Sequence, residues 1–174
     1  MTISLILGGV KSGKSRLSEQ YAKDTGLDVH YIATAQAGDG EMQQRILHHQ
    51  QSRPSEWVTI EEPINLSATI EKYCLKNQCV LVDCLTLWLT NLLLADNDAL
   101  LSTEIDALLA SLEHVEGQLI LVSNETNMGI VPLGELSRRY CDEIGLLHQA
   151  IAKLSDNVIL TVAGLPHSLK GQLA

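Results

Sequence analysis

The stretch 8-GGVKSGKS-15 sits between an apolar run, Ile3 to Leu7, and a helical run, RLSEQYAK. It matches G-x-x-x-x-G-K-[ST] in full, through Gly8, Gly13, Lys14 and Ser15. A strand that turns sharply through glycines into a helix aims backbone N–H groups at one point. The helix N-terminus adds partial positive charge there. Such a loop cradles phosphate oxygens. Lys14 neutralises the β and γ phosphates, the Ser15 hydroxyl ligates Mg²⁺, and Lys11 adds charge within the loop.

The rest of the chain alternates in the same way. Strands are expected at Asp28 to Ala33, Trp57 to Ile60, Cys79 to Val82, Leu119 to Ser123 and, last, Val158 to Val162. Helices are expected over about 14–24, 41–51, 64–75, 86–94, 104–114 and 136–154. Continuous apolar strands separated by helices indicate an α/β fold, a mainly parallel central sheet with helices on both faces. No linker, repeat or low-complexity segment divides residues 1–174, so a single nucleotide-binding catalytic domain is expected. In such sheets ligands sit at the carboxyl ends of the strands, here after Leu7, Ala33, Val82 and Ser123. Asp83 follows one of those strands and is the expected carboxylate near Mg²⁺. Its other use would be to cap the helix that follows.

Composition narrows the function. A net charge of −9 argues against a general nucleic-acid binder. Cys74, Cys79, Cys84 and Cys141 form no CxxC pair and read as buried thiols of a reducing compartment. The start, MTISLILGG, lacks the basic region of a signal peptide, and no run approaches the length of a membrane span. A cytoplasmic protein is the expectation. A guanine-reading N-K-x-D motif is absent, so spacing does not choose between GTP and ATP.

The stretch 45-RILHHQQSRP-54 carries adjacent histidines. On a helix capped by Asp39, Met42, Ile46 and His49 share a stripe, and His48 points away from it. The two imidazoles then occupy different environments. Either is a solvated or packed side chain, or a neutral nucleophile that forms a phosphoramidate.

Several stretches together resemble one family: 5-LILGGVKSGKSRLSE-19, 31-YIATAQ-36, 41-EMQQRILHHQQSRPSEW-57, 59-TIEEP-63, 79-CVLVDCLTLWLTNLL-93 and 121-LVSNETNMGIVP-132. It is the bifunctional adenosylcobinamide kinase and adenosylcobinamide-phosphate guanylyltransferase family of cobalamin biosynthesis, whose P-loop NTPase-like fold agrees with the reading above. The resemblance implies phosphorylation of adenosylcobinamide by a nucleoside triphosphate. It also implies transfer of GMP from GTP to that phosphate through a guanylylated histidine, which falls on His48. Nucleotide contacts are implied at Gly8, Gly9, Val10, Lys11, Ser12, Gly13, Lys14 and Ser15. Further contacts are implied at Thr34, Ala35, Gln36, His49, Gln50, Gln51, Ser52 and Asp83, and at Glu61 or Glu62, where a carboxylate accepts the guanine N1–H and N2–H₂ donors. A homo-oligomer, with a trimer as the expected form, is implied as well. One loop departs from the family pattern N-E-V-G-M-G-I-V-P, with Thr126 and Asn127 in place of an apolar residue and a glycine. The competing readings are a simple P-loop kinase with structural histidines and a nucleotide-gated switch.

Overall fold

The computed structural model describes residues 1–36 and 54–172. The helix expected over 41–51, with His48, His49, Gln50, Gln51 and Ser52, lies outside the described residues.

The described strands are β1 (Thr2–Gly8), β2 (Asp28–Ala33), β3 (Val58–Glu61), β4 (Gln78–Asp83), β5 (Gln118–Asn124), β6 (Asn157–Val162) and β7 (Leu165–Lys170). The helices are α1 (Lys14–Asp24), α2 (Leu66–Tyr73), α3 (Leu85–Leu94), α4 (Asp98–Leu112) and α5 (Glu135–Leu154). The strands form one seven-stranded sheet in the order β3-β2-β4-β5-β1-β6-β7. All pairings are parallel except β6–β7.

The apolar strand runs are buried because helices cover both faces. On one face Ile3, Leu5, Val80, Val82, Leu119 and Leu121 pack under Leu66 and Ile70 of α2, Trp88 and Leu92 of α3, Leu108 of α4, and Ile144 and Ile151 of α5. On the other, Ile6, Tyr31, Leu81, Ile120 and Val122 pack with Ala22 of α1 and with Trp57. Leu, Ile and Val do the work that phenylalanine does elsewhere. No described helix is long and apolar enough to cross a membrane.

The main departures from the sequence expectation concern three elements. The sheet does not end at β6. Ala163 (φ 53) and Gly164 (φ 79) both adopt positive φ in a two-residue turn, and β7 returns antiparallel. Its residues are mostly exposed and include Pro166, an edge-strand pattern with no apolar run to mark it. α4 starts at Asp98, six residues before the expected start, because the Asn97 side chain accepts from Leu100 N at 3.1 Å and caps it. α2 is confined to Leu66–Tyr73.

Candidate functional site

The phosphate loop hangs between β1 and α1, braced by the hairpin that the sequence did not announce. Gly164 N donates to Ser12 O at 2.8 Å. Gly13, at φ 99, is the N-cap of α1, and a Cβ there would stand 3.2 Å from Gly164 Cα. At Gly8 a Cβ would meet Thr161 O at 2.7 Å. Both positions therefore require glycine. Among the described residues no side chain caps α1, and its first turn holds no acidic residue, so its leading N–H groups keep their positive potential. Ser12 Oγ is enclosed without a partner among the described residues. These features suit a phosphate group.

Lys14 Nζ donates to Gly9 O at 3.2 Å, which folds the ammonium over the loop. Burial pulls its pKa below the usual lysine range, opposed by Cys84 and Asp83. Burial pushes the Cys84 thiol up to about 11, so at neutral pH the opposing charge is Asp83. The structure thus brings Lys14 and the end of β4 into one electrostatic field.

Asp83 does not cap the following helix. The N-cap is Cys84, and no side chain among the described residues serves α3 there. The Asp83 carboxylate instead accepts from Tyr31 OH at 2.8 Å. A hydroxyl from Ser15 and a carboxylate from Asp83 are hard oxygen donors of the kind Mg²⁺ takes. Among the described residues no group of three or more His, Cys, Asp or Glu side chains is placed to hold a metal. The donor set therefore fits an ion shared with nucleotide phosphates rather than one caged by protein.

Thr34 follows the end of β2. It is fully buried, and its hydroxyl donates to Cys84 O at 2.7 Å and accepts from Cys84 N at 2.9 Å. Its own N–H is bonded to Asp83 O and its carbonyl to Asn91 Nδ2. All of its polar groups are engaged, so it fixes the β4 end that carries Asp83. Ala35 and the exposed Gln36 follow it at the same edge. Asn91 also donates to Pro63 O at 3.1 Å, tying the ends of β2 and β3 to α3. Replacing Asn91 by leucine strands both carbonyls. A loss of about 1–3 kcal/mol in denaturant unfolding is expected, with a raised KM for nucleotide. Tyr31 and Asn91 lie within the quoted stretches, but nothing in a linear sequence shows a bond spanning 52 or 57 residues.

The acidic pair after β3 separates into two roles. Glu62 Oε1 accepts from Ile64 N at 3.0 Å and Asn65 N at 2.7 Å, holding the turn into α2. Glu61 is exposed at the end of β3, level with Ala33.

Between β1 and β4 runs β5, whose end carries Ser123, Asn124 and Glu125. The Thr126 and Asn127 departures are accommodated here. Asn127 N donates to Glu125 Oε1 at 2.7 Å, and its side chain donates to Cys141 O at 2.8 Å. Asn127 is not among the residues of positive φ, so this turn does not need the glycine it lacks.

Residues 4–169 match the family described as cobinamide kinase / cobinamide phosphate guanyltransferase. The chain belongs to this family. The bifunctional adenosylcobalamin biosynthesis protein CobP of Pseudomonas aeruginosa is 60% identical over 168 residues, covering 97% of both chains. The corresponding protein CobU of Escherichia coli is 37% identical over 179 residues, covering 95% of this chain and 98% of its own. Among solved structures, the RadB recombinase aligns with a TM-score of 0.55 at 15% identity, covering 91% of this chain and 73% of that one. A Pyrococcus horikoshii protein aligns with a TM-score of 0.59 at 10% identity, covering 99% and 87%. The likeness to these two is one of fold, the P-loop NTPase-like arrangement of the sheet and loop described above.

Proposed function

We propose that residues 1–174 form one catalytic domain that moves two different groups from nucleotides to one corrinoid, through the residues assigned below. The chain is a bifunctional adenosylcobinamide kinase and guanylyltransferase. The observation that carries the reading is the phosphate loop facing Asp83 across one sheet edge, in a chain that matches the two-activity family from residue 4 to residue 169.

In the kinase step the acceptor hydroxyl oxygen bonds to the γ-phosphorus, and the bond to the β,γ-bridging oxygen breaks. Lys14 and the α1 N-terminus stabilise the charge that gathers on the phosphates. Ser15 and Asp83 would hold Mg²⁺, which supplies further charge neutralisation. In the second reaction the neutral imidazole of His48 bonds to the α-phosphorus of GTP, and pyrophosphate leaves. A phosphate oxygen of adenosylcobinamide phosphate then takes the GMP, the N–P bond breaks, and adenosylcobinamide-GDP forms. Gln36, together with His49, Gln50, Gln51 and Ser52, contributes to the nucleotide site. The working form is a cytoplasmic homo-oligomer, a trimer.

The test follows the label. With adenosylcobinamide present, γ-labelled nucleotide places label in a corrinoid monophosphate, and α-labelled GTP then places label in the dinucleotide product. Transfer of γ label without any α label reduces the protein to a simple kinase. Transfer of neither leaves a nucleotide-binding switch.

We assign the guanine contact to Glu61, because Glu62 is engaged in the turn into α2. Glu61→Ala should raise the KM for GTP about 10-fold or more, as loss of a charged hydrogen-bond acceptor does, with unfolding unchanged. Glu62→Ala should instead lower stability by about 1 kcal/mol through the lost cap. Steady-state kinetics beside thermal melts separate the two. The opposite pattern would reverse the assignment.

A further inference from the structure

The middle of α5 presents a histidine where its neighbours are apolar. His148 lies between Leu147 and Ile151 on the buried face of that helix and is 8% exposed. A polar ring in such a place is costly unless bonded. Its Nε2 lies 2.8 Å from Ser123 Oγ, and its Nδ1 lies 4.0 Å from Glu125 Oε2. Burial pulls its pKa below the usual imidazole range, with the Glu125 charge opposing, so the ring is held neutral.

Thr86 Oγ1 accepts from Asn124 N at 2.8 Å and stands 3.4 Å from Ser123 Oγ, where either hydroxyl can donate. Ser123 can then donate to Nε2, which leaves the Nδ1 proton facing the Glu125 carboxylate. A serine, a histidine and an acid in line suggest nucleophilic catalysis at first sight. Ser123, however, is fully buried at 0% exposure and reaches no substrate. The line ends at Glu125, which is partly exposed, with Oε1 accepting from Asn127 N at 2.7 Å and Oε2 toward His148.

Glu125 lies at the sheet edge that carries the phosphate loop. β5 lies between the strand that feeds the phosphate loop and the strand that carries Asp83. Glu125 N donates to the carbonyl of Gly8, the first residue of the loop, at 3.0 Å. Beside it, Asn124 Oδ1 is enclosed with no partner among the described residues.

We propose that Glu125 is the general base of the kinase step and that His148, fixed by Ser123, is the residue that positions it. This rests on the kinase reading above. The hydroxyl proton of adenosylcobinamide passes to the Glu125 carboxylate as the new O–P bond forms at the γ-phosphorus. The nucleoside diphosphate leaves with the bridging oxygen, and the proton is then released to water.

The experiment uses the full chain, γ-labelled ATP and adenosylcobinamide, with α-labelling of the protein by GTP measured in parallel. Glu125→Gln should lower the kinase kcat about 10²–10³-fold while α-labelling stays within about twofold. Glu125→Asp, which keeps the carboxylate, should lose less. His148→Gln should lower the kinase kcat about 10-fold with the corrinoid KM unchanged, and the double variant should be no slower than Glu125→Gln alone. A Glu125→Gln enzyme within about threefold of wild type in the kinase assay, or one that loses both activities equally, overturns the proposal. Should the glutamine variant fail to fold, Glu125→Asp decides: a kinase-selective loss supports the base, and an equal loss of both activities rejects it. A wild-type enzyme that phosphorylates no corrinoid overturns the kinase reading, and this inference with it.

Discussion

Lys14→Met should lower kcat for both half-reactions by about 10²–10³-fold, the cost of removing one preorganised donor from charge that develops in a transition state. Both reactions break a bond within the same triphosphate, one at the γ and one at the α phosphorus, so one lysine serves both. The fold should not suffer. Among the described residues its ammonium bonds to Gly9 O at 3.2 Å, and its burial disfavours the charged form. The sign follows from that depression. A lysine whose pKa falls on folding costs stability wherever the unfolded chain keeps it charged, so at neutral pH methionine should leave the nucleotide-free melting temperature unchanged or raise it. GTP-induced stabilisation, which grows with ligand concentration over Kd, should shrink in the variant. Melts with and without GTP, set beside kinetics, test this. A Lys14→Met protein that melts lower without nucleotide would point to a structural lysine. One that keeps full activity would remove it from catalysis.

The parts of this site that were legible in the sequence are those whose physics is local. A glycine-rich turn between a strand and a helix needs about eight adjacent residues, and all of them lie within 8–15. Asp83 was legible because a buried strand ends on it. Local reading failed where the partner is distant or the pattern is weak. β7 has an exposed proline-containing sequence, 165-LPHSLK-170, and its only local sign is the Ala163–Gly164 turn. Yet that turn braces Ser12 and crowds Gly13, so the loop is only half explained by its own motif. Thr34 illustrates the same limit from the other side. The resemblance implied a nucleotide contact there, and no local pattern shows that its hydroxyl is shared with the Cys84 backbone. Asn97 is the exception, a helix cap readable from 97-NDAL-100 that moves the start of α4 to Asp98.

His48→Ala should abolish α-label on the protein from GTP while the γ-phosphoryl transfer to adenosylcobinamide stays within a few-fold of wild type. A phosphoramidate gives the label a signature, lost in acid and stable in base. The imidazole attacks only when neutral, so labelling of the wild type should fall as pH drops below the imidazole pKa, near 6.5 for an unperturbed ring. His49→Ala is the matched control. Its ring is assigned to binding, so it should slow labelling without removing it. The pair of variants separates the two readings of 45-RILHHQQSRP-54. If both histidines are structural, neither variant removes a covalent adduct, and the wild type carries no α-label. If His49 is the nucleophile, the two phenotypes exchange. Survival of α-label in His48→Ala, with loss in His49→Ala, would transfer the role by one residue and leave the phosphate loop, Lys14 and Asp83 in place. The kinase readout matters for the same reason: a substitution that merely damages the shared nucleotide site lowers both activities together, whereas loss of the covalent step alone requires a group used in only one of them.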